Sequence, residues 1–191
     1  LGYAFTTDHS LKRKILRYFL IKLYKKGLRS SAKVIFQNKD DKNLFYDLKI
    51  LKKNNLSSVV NGSGIDLKMY PFSVIPSDPV FLMISRLLVD KGVREYVEAA
   101  QIVHSRFPNT IFQLAGYLDE NPSGISLEEL QSWVKQGDIQ YLGEIKSVQS
   151  ILKSCRYYVL PSYREGTPRS TLEALSTGRP VITTDVPGCR E

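Results

Sequence analysis

Cysteine and histidine are scarce in this chain of 191 residues, with two of each. Cys155 and Cys189 stand far apart without a Cys-x-x-Cys spacing, so zinc sites and disulfide scaffolds are poor readings, and two idle thiols in a reducing compartment is the simpler one. No apolar run approaches the roughly 18 to 20 residues that a helical membrane span needs. Asp-x-Asp, the P-loop signature, solenoid-period repeats, zinc fingers and RNP-like aromatic strands are all missing, which leaves nucleic acid without support as a partner. The opening LGYAFTTDHS has neither the basic nor the apolar part of an export signal. It also lacks an initiator Met and leads us to expect an internal fragment. His9 falls in this stretch, matches no motif, and receives no role.

What is present is a foldable composition, 42% apolar and 24% charged, with length for one domain and part of another. Its net charge of +8 is unevenly spread. Residues 1–76 hold 15 basic and 5 acidic side chains, a net of +10, whereas residues 77–191 hold 12 and 14, a net of −2. The basicity peaks in residues 11–33, LKRKILRYFLIKLYKKGLRSSAK, with nine Lys or Arg and no acid. On a helical wheel Leu16, Leu20, Leu23 and Tyr24 share one face and Leu11, Ile15, Tyr18 and Phe19 another. A helix of this kind either packs on a sheet, its long cationic stems covering apolar neighbours, or also lies on an anionic membrane surface.

Short β-branched and aromatic runs at 34–37, 57–60, 80–84, 111–115, 139–142, 157–160 and 181–184 read as strands. Helical stretches at 92–106, 126–135, 148–154 and 168–177 alternate with the later ones. Alternation of this kind predicts α/β architecture, a Rossmann-like parallel sheet with helices on both faces. Residues 61–78, rich in Gly and Pro, read as a linker; the Gly62-x-Gly64 start is no dinucleotide fingerprint, because Leu67 stands where a third Gly belongs. Two regions are therefore expected, 1–76 and 77–191.

Ligands of parallel sheets bind outside the carboxyl ends of the strands. The loop after Ile84 carries Arg86 and Lys91, and two cations beside a helix N-terminus suit a diphosphate; alone, they are equally a solvated pair. The loop after Leu160 carries Glu165, then Thr167 placed to cap a helix opened by Pro168. Glu173 follows inside that helix. A carboxylate at a strand end can accept from vicinal hydroxyls; without context these two acids are equally a loop and a helix glutamate.

Four segments in order supply that context: FLMISRLLVDKGVREYVEAA, FQLAG, IQYLGEI and VLPSYREGTPRSTLEALSTGRPVITTDVPGCRE. Together they resemble the donor-binding domain of the GT-B glycosyltransferases of family 4, also called group 1 glycosyltransferases. KVIFQNKDD and VVNGSGID resemble the end of that family's acceptor domain and its hinge, so residues 1–76 would be the remnant of the acceptor domain and 77–191 a truncated nucleotide-sugar domain. The resemblance implies transfer of a hexose or N-acetylhexosamine from a UDP- or GDP-sugar, with retention and without a bound metal or other cofactor. The implied acceptor is a glycan or polyprenyl-diphosphate saccharide in bacterial capsular polysaccharide or lipopolysaccharide assembly, in the cytoplasm or peripherally on the inner membrane face.

By the same resemblance Arg86 and Lys91 bind the diphosphate, Glu165 the donor sugar and Glu173 the ribose. Main chain at Gly166 and Thr167 would approach sugar and phosphate, and main chain at Leu142 and Gly143 the base. Ser162 lies beside these residues without a firm role. The fragment alone would be inactive. A nucleotide-binding module without transferase activity and a peripheral membrane protein working through residues 11–33 are the competing readings.

Overall fold

The computed structural model describes Phe5 and residues 11–191, so His9 lies outside the described residues. The chain forms two compact units. The first holds the described residues up to Gly64 together with Arg164–Pro168 and Asp185–Glu191, and the second holds Ile65–Tyr163 and Arg169–Thr184.

In the first unit, helix α1 (Leu11–Gly27) leads to strand β1 (Val34–Phe36), helix α2 (Lys39–Asp47) and strand β2 (Ser57–Val59), with β1 and β2 parallel. The fragment KVIFQNKDD thus holds a helix that the strand-like run before it did not announce. Asn38 starts it by accepting the Asp41 N–H at 2.7 Å, and Asp40 and Asp41 sit favourably in its first turn. The core joins Phe36, Phe45, Ile50 and Leu51; Ile21 and Tyr24 bring one face of α1 onto it, and Leu28 packs there just after the helix. Leu16 and Leu23, placed with Tyr24 on the wheel, are instead exposed, as are Leu11, Ile15, Tyr18 and Phe19.

The second unit contains β3 (Val80–Ile84), α3 (Val93–Arg106), β4 (Ile111–Ala115), α4 (Leu127–Gln136), β5 (Gln140–Tyr141), α5 (Val148–Ser154), β6 (Tyr157–Leu160), α6 (Arg169–Ser176) and β7 (Val181–Thr183). The five strands form a parallel sheet in the order β5-β4-β3-β6-β7. Alternation along β3 explains the layering. Met83 enters a core with α3 and α4 residues such as Val97 and Leu130, while Val80 and Leu82 enter one with Leu152 of α5 and Ala174 of α6. Leu82 and Met83 are fully buried, each worth about 1.5–3 kcal/mol of hydrophobic stabilisation. In register, Phe81 stacks between Phe112 and Tyr157, with ring centroids 4.6 and 4.8 Å away. The architecture is the parallel, doubly covered α/β sheet that the alternation of runs predicts.

Residues 65–78 form no regular strand or helix, yet the second unit holds them firmly. Arg179, 1% exposed, donates to the carbonyls of Val74 at 3.2 Å and Cys155 at 3.0 Å and also to Ser73.

Candidate functional site

The strand order of the second unit reverses between β3 and β6, because β4 and β5 build outward on one side and β7 on the other. The carboxyl ends of the strands at such a reversal are the usual ligand position of an open parallel sheet. The loop after β3 runs through Arg86 and a 3-10 turn, Val89–Lys91, into α3. Its two ends are fixed by main chain: Leu87 N–H donates to Tyr117 O at 3.1 Å, and Gly92 N–H to Val89 O at 2.9 Å.

Gly92 adopts φ 76°, and a Cβ there would stand 2.1 Å from the carbonyl oxygen of Pro161. The loops after β3 and β6 therefore touch through backbone where no side chain fits. Tyr163 strengthens the contact: its N–H donates to Asp90 O at 3.0 Å and its hydroxyl to Glu95. That bond to Glu95, followed by burial, raises the tyrosine above its ordinary pKa.

Arg86 is half exposed and pairs with Asp119 at 3.2 Å. An exposed pair of this kind is worth about 0–1 kcal/mol, so an arriving phosphate can replace the carboxylate at small cost. Lys91 is half-buried at the end of the 3-10 turn, five positions on in the same loop. Both cations predicted from sequence thus stand between β3 and α3, beside the reversal of strand order. Leu142 is exposed just beyond β5, and Gly143 accepts the Gly116 N–H at 2.9 Å. Gly116 is itself pinned, since a Cβ there would meet Ser85 O at 1.7 Å.

Glu173 sits on α6 and is 5% exposed. Its Oε1 accepts from Arg169 Nε at 2.9 Å, one helical turn earlier, and the phenol of Tyr70 lies beside it. Burial, with the neighbouring Glu173 second, moves the Tyr70 pKa upward. A carboxylate offers about four acceptor positions, so the bond from Arg169 leaves capacity for a hydroxyl pair. Ser162 is fully buried, and its carbonyl accepts from the Thr184 hydroxyl.

Glu165, Gly166 and Thr167 belong to the first unit, where the sequence reading attached no partner to them. Asn38, fully buried, donates through Nδ2 to the Gly166 carbonyl at 2.9 Å and to that of Glu165 at 3.3 Å. Thr167 Oγ1 donates to Gln37 O at 3.1 Å, the Glu165 N–H to Pro187 O at 3.0 Å, and Arg164 pairs with Asp41. Gly166 faces Gln37, whose Oε1 a Cβ would approach to 2.0 Å. The eight residues singled out from sequence therefore divide: Arg86, Lys91, Leu142, Gly143 and Glu173 in the second unit, and Glu165, Gly166 and Thr167 in the first.

Sequence reasoning missed the residues that hold these in place: Asp119, Arg169 and above all Asn38. The local pattern Asn-Lys-Asp-Asp does signal a helix cap, but nothing local reports a partner more than a hundred positions away. Among the described residues no group of three or more His, Cys, Asp or Glu is arranged to hold a metal ion, and no helix is long and apolar enough to cross a membrane.

A family model described as glycosyl transferases group 1 matches residues 78–191. The chain is 34% identical over 202 aligned positions to the N,N'-diacetylbacillosaminyl-diphospho-undecaprenol alpha-1,3-N-acetylgalactosaminyltransferase of Campylobacter jejuni, covering 98% of this chain and 51% of that enzyme. It is 27% identical to the UDP-Gal:alpha-D-GlcNAc-diphosphoundecaprenol alpha-1,3-galactosyltransferase of Escherichia coli, covering 98% and 50%. The chain thus spans about half the length of the curated relatives it matches. Among solved structures, Anabaena Alr3699/HepE in complex with UDP-glucose aligns with TM-score 0.71 at 20% identity, covering 92% of this chain and 52% of that one. The pneumococcal O-GlcNAc transferase GtfA in complex with UDP and GlcNAc gives 0.68 at 21%, covering 86% and 32%. These structural likenesses are likenesses of fold.

Proposed function

Because the chain belongs to the group 1 glycosyl transferases, we propose that the protein it represents moves a sugar from a nucleoside-diphosphate sugar to a lipid-linked saccharide, with retention at the anomeric carbon. The observation that carries the reading is the pair Arg86 and Lys91 on one loop beside the reversal of strand order in the second unit. There a departing diphosphate meets fixed positive charge, and the Asp119 carboxylate on Arg86 yields to it. Preorganised charge of this kind lowers the barrier to bond cleavage without reorganisation at the moment of reaction. Losing about 3 kcal/mol of it slows transfer on the order of a hundredfold.

Glu173 binds the ribose through the acceptor positions that Arg169 leaves. Main chain at Leu142 and Gly143 meets the base. Glu165 accepts from the donor sugar, and Gly166 and Thr167 approach sugar and phosphate through backbone. Residues 1–76 act as the end of an acceptor-binding domain and 77–191 as the donor-binding domain; the 191 residues alone do not turn over. The relatives' names, which specify diphospho-undecaprenol saccharides, support a polyprenyl-diphosphate acceptor; the reading places the work on the cytoplasmic face of a membrane. UDP in the names of the relative and of the structures favours a UDP-sugar over a GDP-sugar.

A panel of UDP- and GDP-sugars with the intact protein, followed by determination of the anomeric configuration of the product, tests the proposal. One donor is expected to be used with retention. An inverted product overturns the assignment, and so does donor binding that Arg86→Ala and Glu173→Ala leave unchanged.

A second reading, contact of α1 with an anionic membrane in addition to catalysis, is favoured by the six large apolar side chains exposed on α1 among its lysines. It requires binding to anionic vesicles that weakens with salt.

A further inference from the structure

The first unit has a cavity of about 430 Å³ that none of the residues assigned to the donor lines. Four of its lining side chains are cations, Lys25, Arg29, Lys49 and Lys52, and two are amides, Asn54 and Asn55; no carboxylate joins them. Among the described residues none of the four cations is in an ion pair. The cavity's place in the fold separates it from the strand ends considered so far. Lys25 lies in the last turn of α1 and Arg29 in the turn that follows, before the chain enters β1, and residues 49–55 connect α2 to β2. The cavity therefore lies at the amino ends of these parallel strands, whereas the ligands of a parallel sheet gather at the carboxyl ends.

Several details orient donors toward an anion. The Asn55 Oδ1 is occupied by the Lys52 N–H at 2.7 Å, which leaves the amide nitrogen of that side chain as the group to be matched. Lys49 is the single positive-φ residue other than glycine among the described residues, at φ 53°. A lysine held in a conformation that glycine adopts without cost adds its charge where charge of the same sign is already dense. Leu28 and Ile50, which belong to the core of the unit, give the cavity a rigid floor. The carbonyl end of α1 opposes an anion with roughly half a charge, which four cations outweigh.

We propose that this cavity is an anion site of the first unit that takes a phosphate ester or diphosphate, separate from the residues assigned to the donor. Its volume falls within the range of small-ligand pockets, about 300–1,000 Å³, so it accommodates a phosphate with a substituent. Lysine, arginine and amide N–H donors match the oxygens of an anion, phosphate among them, and repel cations. A membrane headgroup and a soluble ester share this chemistry.

The test uses the full-length protein carrying Arg86→Ala and Lys91→Ala, so that the outcome does not depend on the donor reading. Pyrophosphate is titrated into it by calorimetry, with and without Arg29→Glu, Lys49→Glu and Lys52→Glu together. All three positions are exposed, and circular dichroism verifies folding; Lys49→Arg with Lys52→Arg supplies a charge-keeping variant. The expected result is a roughly tenfold or greater loss of affinity on charge reversal, and retention within about twofold on Arg replacement, as for a site read by phosphate contacts. Flotation with vesicles of equal phosphatidylglycerol and phosphatidylcholine runs in parallel, with Lys14→Glu and Arg17→Glu on the same helix as the control for general surface charge. Cavity-dependent pyrophosphate binding assigns the site to a soluble ester, and cavity-dependent flotation alone assigns it to a headgroup. If the triple variant binds both probes like its parent, or the Lys14 and Arg17 control loses as much, the proposal is overturned.

Discussion

Glu173 is a buried acid that accepts from Arg169 and has Tyr70 beside it, so binding and stability are entangled at one carboxylate. Replacing it with Ala removes a buried side chain and the acceptor of Arg169, a loss of about 0.5–3 kcal/mol. Glu173→Gln keeps the shape and one carbonyl acceptor. We expect thermal melts to separate the two, the Ala variant falling well below the Gln variant, while calorimetry finds nucleotide-sugar affinity weakened about tenfold in both, as loss of a charge-assisted hydrogen bond requires. Equal donor affinity in parent and Gln variant would remove Glu173 from the binding site. Cys155 makes a second case. Burial raises its thiol from an ordinary value near 9.0 to about 11, so folding favours the protonated form. Its contribution to stability is complete below pH 9.0 and is lost as pH rises toward 11. A thiol reagent at pH 8 should label the half-buried Cys189 first and reach Cys155 only on unfolding; equal labelling rates in the native protein would contradict this.

At the level of elements, what matters is which loops are held and by whom. Asn38 caps α2 with its oxygen and grips the Glu165–Gly166 backbone with its nitrogen. Asn38→Ala removes a cap and leaves two carbonyls unmatched, an expected loss on the order of 2–4 kcal/mol in denaturant melts. Asn38→Asp restores the cap alone, so its stability should fall in between; stability matching the parent would show that the grip on residues 165 and 166 contributes nothing. Gly116→Ala has a different cause, a Cβ 1.7 Å from the Ser85 carbonyl, and should lower stability by roughly 2 kcal/mol or more through displaced backbone. The strands and the helices of the second unit were legible because their signals are periodic and local: the β3 run Val80–Ile84 matches its observed bounds, and Ser126 and Gly137 frame α4. Helix α2 was not legible, since its nine residues are mostly polar and bury only Asp41 and Phe45. The eight functional positions could be named from motif spacing, yet their supports could not. Spacing carries no record of Asn38 meeting Gly166 or of Asp119 meeting Arg86, contacts that exist only after the chain has folded.

For the molecule as a whole, the charge divides as the sequence arithmetic does: the strongly basic first 76 residues supply both the exposed face of α1 and the cationic cavity, whereas the second unit carries the sheet with its reversal of order. Membrane contact through α1 predicts flotation with anionic vesicles at low salt that fades as the Debye length shrinks from about 10 Å at 0.1 M toward 3 Å at 1 M; binding indifferent to salt would rule out an electrostatic attachment. The buried guanidinium of Arg179 has a further consequence. Residues 65–78 hold exposed Leu67, Met69, Phe72 and Val74 in an irregular segment, the sort of bait that trypsin-like and chymotrypsin-like enzymes cut first. Cleavage needs several residues to unfold into an extended substrate, and here the carbonyls of Ser73 and Val74 are already committed to an arginine of the sheet domain. The native chain should therefore survive digestion through this stretch, and Arg179→Met should turn the same peptide into the first one nicked.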